Sequence, residues 1–155
     1  MEVKIQFATI KNLKEIQYLN HQLCIKENKE FDATINPDYS IQKQGEEYFK
    51  DRINNGCTLI TIVDGKVIGY LIGSISNAED YRNLSKIAEA EEMFILEDYR
   101  SMKIGKKLLQ EFAKWCKSKK VERIKVVAYA QNSKAIEFYR REGFKDYDFV
   151  LEKEI

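Results

Sequence analysis

The chain has 155 residues, 44% hydrophobic and 33% charged, a balance that excludes an intrinsically disordered chain and supports one domain with a sizeable core. Its 26 Lys+Arg against 25 Asp+Glu leave a net charge of +1, which argues against a protein that holds nucleic acid through bulk charge. Three widely spaced cysteines (Cys24, Cys57, Cys116) lack metal-ligand spacing, and no long apolar run marks a secretion signal or membrane span. The expectation is one cytoplasmic domain over residues 1–155, with reduced thiols, no metal and no membrane partner.

Val3, Ile5 and Phe7 alternate with polar residues and predict a half-buried strand. Asn12, with Glu15 three residues on, predicts a helix start, and Ile16, Leu19 and Leu23 share one helical face. Residues 28–39 contain the only proline, Pro37, among polar residues and read as a loop. Ser40 is placed to cap a second helix running to Asn55-Gly56. Thr58–Val63 and Lys66–Ser76 are β-rich runs joined by Asp64-Gly65, a tight hairpin signal. Residues 77–88 read as a polar loop suited to a substrate mouth, and Glu89–Leu96 as the next strand.

Ile104, Leu108, Leu109, Phe112 and Trp115 form the apolar stripe of a third helix. Arg123–Ala130 predicts a strand, Ser133–Glu142 a short helix ended by Gly143, and Asp148–Glu154 a last strand. The fold class is therefore α/β, a mixed sheet flanked by helices. His21, the single histidine, falls on a surface helix. The basic run from Lys114 to Lys125 complements the C-terminus of the third helix rather than marking a nucleic-acid surface.

The chemistry concentrates between Glu91 and Leu109. A strand carrying Glu91 and Glu92 enters a cationic turn, Arg100-Ser101-Met102-Lys103-Ile104-Gly105-Lys106, that opens the third helix. Free amides and the dipole at a helix N-terminus bind phosphate. Carboxylates one strand-length away provide acid–base chemistry.

This segment resembles the acetyl-CoA signature of the GNAT superfamily of N-acetyltransferases. Asn132-Ser133-Lys134-Ala135-Ile136-Glu137-Phe138-Tyr139-Arg140-Arg141-Glu142-Gly143-Phe144 is similar to that family's second motif, and the element order agrees over the whole chain. Lys103, and to a lesser degree Ser101, stand where the family commonly has glycine. A lysine there keeps the loop if its φ stays negative.

The resemblance implies acetyl-CoA as cosubstrate, its diphosphate on the amides of residues 101–106 and its pantetheine arm along Met93, Phe94 and Ile95. Asn132, Ala135, Phe138 and Tyr139 would line the other side of a break in the sheet, with Lys134, Arg140 and Arg141 near the adenosine phosphates. A strand N–H near Phe94 or Ile95 would polarise the thioester carbonyl. Tyr139 is the candidate general acid.

The acceptor amine must lose a proton to a carboxylate. Strand alternation puts Glu91 and Glu92 on opposite faces, and Glu91 is preferred by its likeness to polyamine-acetylating relatives, with Glu92 second. Acidic residues Glu27, Glu30, Asp32, Asp38, Glu79 and Asp80 suit a small cationic amine attacked directly in a ternary complex. A protein or peptide amine is the alternative acceptor, a non-catalytic acyl-CoA sensor the rival class, and a homodimer is compatible with either.

Overall fold

The computed structural model describes residues 1–155. Five strands form one sheet in the order β1-β2-β3-β4-β5. They are β1 (Val3–Phe7), β2 (Cys57–Val63), β3 (Lys66–Asn77), β4 (Lys86–Ile95) and β5 (Arg123–Lys125). The first three pairings are antiparallel and β4–β5 is parallel. The helices are α1 (Leu13–Glu30), α2 (Lys43–Asn55), α3 (Ile104–Ser118) and α4 (Ser133–Arg141).

The β2–β3 hairpin turns on Asp64 and Gly65, both at positive φ, the conformation that matches the twist of the flanking strands. Strand alternation divides the apolar residues between two cores. Ile60, Tyr70, Ile72 and Phe94 face α1 and α2, packing on Ile16, Leu19 and Phe49. Leu59, Ile68, Leu71, Ala88 and Ala90 face α3, packing on Ile104, Leu108 and Phe112. Cys57 and Cys116 are buried free thiols in the α3 core. No helix is long and apolar enough to cross a membrane.

Several boundaries differ from the sequence reading. α1 continues to Glu30, through the start of the expected loop. Ser40 does not cap α2, which starts at Lys43. Instead it exchanges two bonds with Gln17: its hydroxyl donates to the Gln17 carbonyl at 3.2 Å, and its carbonyl accepts from Gln17 Nε2 at 2.8 Å. β5 stops at Lys125 rather than Ala130, and Asp148–Glu154 forms no strand. Both runs have strand-like composition but lack a neighbour within the chain, and a strand exists only where its backbone is paired.

Candidate active site

The site begins with a bulge. Ile72 pairs with Glu92 and Gly73 with Ala90, leaving Glu91 as the extra residue of β4. Alternation fails there, and the expectation of two carboxylates on opposite faces fails with it. Both side chains lie on the α1–α2 side, Glu91 against α2 and Glu92 against α1.

Glu91 is fully engaged. Arg52 grips it with Nε and Nη2 at 2.6 and 2.8 Å, Tyr48 Oη donates at 2.9 Å, and Ser74 Oγ donates at 2.9 Å. Burial pushes this carboxyl upward, but the Arg52, Tyr48 and Ser74 bonds outweigh it and hold the group below the usual carboxylate range.

Glu92 has the opposite environment. Its Oε2 accepts from Asn20 Nδ2 at 2.7 Å and from the Tyr70 hydroxyl at 3.3 Å. The same Asn20 amide donates to Tyr70 Oη at 2.7 Å, while Asn20 Oδ1 accepts from Cys24 Sγ at 3.3 Å. No cation touches it. Burial, followed by repulsion from Glu27 and Glu91, pushes the carboxyl up to about 7, against the pull of Tyr70 and Arg52. Burial likewise raises Glu27. Phe31, just beyond α1, stacks on Tyr129 at 5.5 Å, and the Tyr129 phenol lies near enough to Glu27 to feel its charge.

Asn20, Tyr70, Tyr48 and Arg52 were not singled out in the sequence. Asn20 occurs at helical spacing from Ile16, so a polar side chain on the buried stripe was the available signal. Tyr70 is indistinguishable from a core aromatic until its hydroxyl is traced.

β4 and β5 meet only over Ile87–Glu89 and Arg123–Lys125, so the β5-side edge of β4 is open from Ala90 onward. Leu96 N–H donates to the Ile68 carbonyl on β3 at 2.9 Å. By the two-residue period, Glu92 and Phe94 also direct their backbone groups toward β3, while Met93 and Ile95 direct theirs to the open edge. Of the two expected carbonyl-polarising amides, Phe94 is therefore committed to the sheet and Ile95 is not. Arg100 does not reach outward; its Nε donates to the Ile95 carbonyl at 2.8 Å, tying the turn to the strand.

The turn after β4 is a 3-10 helix, Glu97–Met102, ending on Lys103 at φ 59 and ψ 21. Lys103 does not keep the negative φ under which a lysine would fit the loop; it takes the left-handed conformation that glycine adopts without strain. This reversal starts α3, whose ladder opens with Lys107 N–H on the Lys103 carbonyl at 3.2 Å. The amides of Ile104, Gly105 and Lys106 consequently have no partner inside α3. Exposed Ser101, Lys103 and Lys106 surround them. Free amides, a helix dipole and lysines fit a diphosphate.

A Cβ on Gly105 would sit 3.1 Å from Phe138 Cζ, so this glycine brings α4 against the turn. Met102 packs on the α3 core beside Met93 and Ile95. Asn132 caps α4, its Oδ1 accepting from Ala135 N–H at 3.2 Å. Tyr139 packs edge-on against Phe144 at 5.6 Å, and burial raises its pKa. Lys134 and Arg141 are exposed, whereas Arg140 is held by Asp146 through bonds of 2.9 and 2.6 Å.

The acidic residues expected around the acceptor separate. Glu27 faces Glu92, but Glu30 pairs with Lys26 at 3.9 Å, Asp38 with His21 at 3.1 Å and Glu79 with Arg82 at 3.8 Å. Asp32 bonds Thr34. The loop after β3, with Glu79 and Asp80, lies at the far end of β4, about 20 Å of strand from Glu92, and does not line a pocket centred there.

A mixed sheet flanked by helices that parts beside a helix N-terminus is the fold of the acyl-CoA N-acyltransferases. The profile of the Acetyltransferase (GNAT) family matches residues 21–144, and the chain belongs to that family. It is an acetyl-CoA-dependent enzyme that transfers acetyl to an amine. The chain is 30% identical over 152 residues to an N-alpha-acetyltransferase of Sulfurisphaera tokodaii, covering 92% of this chain and 87% of that protein. It is 27% identical to a spermidine N(1)-acetyltransferase of Thermoplasma acidophilum, covering 79% and 74%. The fold is shared with the BH1408 protein of Bacillus halodurans, at a TM-score of 0.84 and 17% identity over 100% of both chains. It is also shared with the PaiA N-acetyltransferase of Thermoplasma acidophilum in complex with coenzyme A, at 0.77 and 21% over 97% and 94%.

Proposed function

We propose that the acceptor is a primary amine of a small cationic molecule, which attacks directly in a ternary complex while Glu92 takes its proton. The observation that carries this reading is the contrast between the two carboxylates. Glu91 is neutralised by Arg52, whereas Glu92 has only neutral donors, faces Glu27 and is pushed up to about 7. An alkylammonium with pKa about 10.4 requires a base whose own pKa lies near the working pH, and Glu92 meets that need better than Glu91. Glu27 and Glu92, neither of them in an ion pair, together supply negative charge, and Phe31 and Tyr129 supply aromatic faces, for a cation.

Acetyl-CoA, when bound, supplies the activated thioester. The amides of residues 103–106, with Ser101 and Lys106, hold its diphosphate, and the open edge at Met93 and Ile95 takes up its extended arm. Ile95 N–H is positioned to donate to the carbonyl as charge develops. Tyr139, kept protonated by burial, donates to the departing sulfur.

The test is release of free thiol from acetyl-CoA with spermidine, an aminoglycoside and a short peptide bearing a free N-terminus. Turnover on the small amines, rising with pH through about 7 in the wild type, should fall at least about 100-fold in Glu92→Gln. Retained turnover in Glu92→Gln would exclude Glu92 as the base. A second reading, transfer to a protein N-terminus, is favoured by the 30% identity to the N-alpha-acetyltransferase. Turnover on the peptide alone would select it.

A further inference from the structure

We infer that Asn20 is a positioning residue for proton transfer: it holds Glu92 by one carboxylate oxygen and reserves the other for the acceptor amine. With Glu92 as the base proposed above, Asn20 determines which of its two oxygens receives the proton.

The hydrogens around Glu92 can be followed one by one. Asn20 Nδ2 has two, of which one goes to Tyr70 Oη and the other to Glu92 Oε2, each at 2.7 Å. Tyr70 Oη, already an acceptor, has one hydrogen to give, and it goes to the same Oε2 at 3.3 Å. Burial holds the Tyr70 phenol well above its ordinary pKa, so that hydrogen stays in place at neutral pH. Oε2 therefore receives two donors, one for each of its lone-pair sites. Both bonds fall on Oε2 and none on Oε1. The buried side-chain oxygens left without a partner belong to Gln17, Thr58 and Thr61, so the bare Oε1 is open to water and to an incoming amine.

The orientation of the amide matters, because a reversed Asn20 would set Oδ1 against the carboxylate, oxygen facing oxygen. Cys24, one turn further along α1 on the same helical face, selects the productive end: its Sγ donates to Asn20 Oδ1 at 3.3 Å. Burial, with Glu92 and Glu27 beside it, pushes this thiol up to about 11, so it remains a donor.

In the step itself an N–H bond of the ammonium breaks, the electron pair stays on nitrogen for attack on the thioester, and the proton bonds to Oε1. The resulting neutral acid keeps both donors on Oε2. A proton on Oε2 would instead displace one of them and leave a buried donor unsatisfied.

Glu92 is faced by Glu27 and Cys24 from α1, Tyr70 from β3, Glu91 on its own strand, and Tyr48 and Arg52 from α2. Asn20→Ala leaves every one of these in place and removes a donor to the ionised carboxylate. In carbon-13 spectra of the glutamate-labelled full chain, the Glu92 titration should therefore move to higher pH. It should move less in Cys24→Val, and Cys24→Ser, which keeps a donor, should return it toward wild type. With acetyl-CoA and spermidine, Asn20→Ala should lower kcat about tenfold, the loss of one hydrogen bond to a charged group, and leave the KM for acetyl-CoA unchanged. Added to Glu92→Gln, the same substitution should cost no further turnover, because the group it positions is gone. An unmoved Glu92 titration in Asn20→Ala, or an equal loss of turnover in the wild-type and Glu92→Gln backgrounds, would overturn the positioning role and leave Glu92 as the base. Full turnover in Glu92→Gln would overturn both. If Asn20→Ala does not fold, the cysteine variants settle the matter: the same Glu92 titration in Cys24→Val as in Cys24→Ser would overturn the proposal.

Discussion

Lys103 shows how one residue carries a structural cost for its place at the turn that opens α3. Its left-handed φ of 59 brings Cβ close to a carbonyl oxygen, a strain of about 1 kcal/mol that glycine does not feel. Lys103→Gly should therefore raise the melting temperature by about 2–4 °C, read by calorimetry. Glu92 carries a larger cost with a defined sign. Its folded pKa of about 7 exceeds its ordinary value of 4.5, so between these pH values the folded state holds a proton the unfolded state has lost. Stability falls as pH rises through that window, by about 3 kcal/mol once both states are ionised. Urea denaturation should show wild type weakening from pH 5 to pH 8 relative to Glu92→Gln, so that the variant is the more stable protein at pH 8. Both glutamates were visible in the sequence as candidates. Their contrasting environments were not, because these depend on Arg52, Tyr48, Asn20 and Tyr70, which come from three other elements.

Elements were legible where their signal is local. The Asp64-Gly65 turn and the apolar stripe of α3 depend on residues within a few positions of one another. The bulge in β4 does not, because it is a mismatch in count between two strands, and no window of β4 alone reveals it. Its partner strand has Gly73 opposite Ala90, directly beside the extra residue. A Cβ on Gly73 would lie 2.4 Å from Phe112 Cε2 and 2.7 Å from the Glu89 carbonyl. Gly73→Ala should therefore destabilise the protein by about 1–3 kcal/mol, since neither the ring nor the backbone has room to yield. Phe112→Leu added to that chain should cost less than Phe112→Leu alone, a coupling measurable by denaturant unfolding. Asp148–Glu154 marks the opposite failure, a strand-like sequence that pairs with no strand of the sheet.

At the scale of the whole molecule, one sheet separates two cores, and the turn into α3 and the two glutamates of β4 sit where that sheet comes apart. Composition, charge and element order were sufficient for the α/β class, because they depend on the chain as a whole. The parting of β4 from β5 was implied only by family likeness; its physical cause is that three residue pairs hold the two strands and nothing beyond them does. That short contact should be readable in solution by amide hydrogen exchange. Along one strand, Glu92 and Phe94 should exchange slowly behind their β3 bonds while Met93 and Ile95, open to water, exchange many times faster. Saturating coenzyme A should slow the second pair and leave the first unchanged, so that the two sides of a single β-strand report separately on folding and on occupancy.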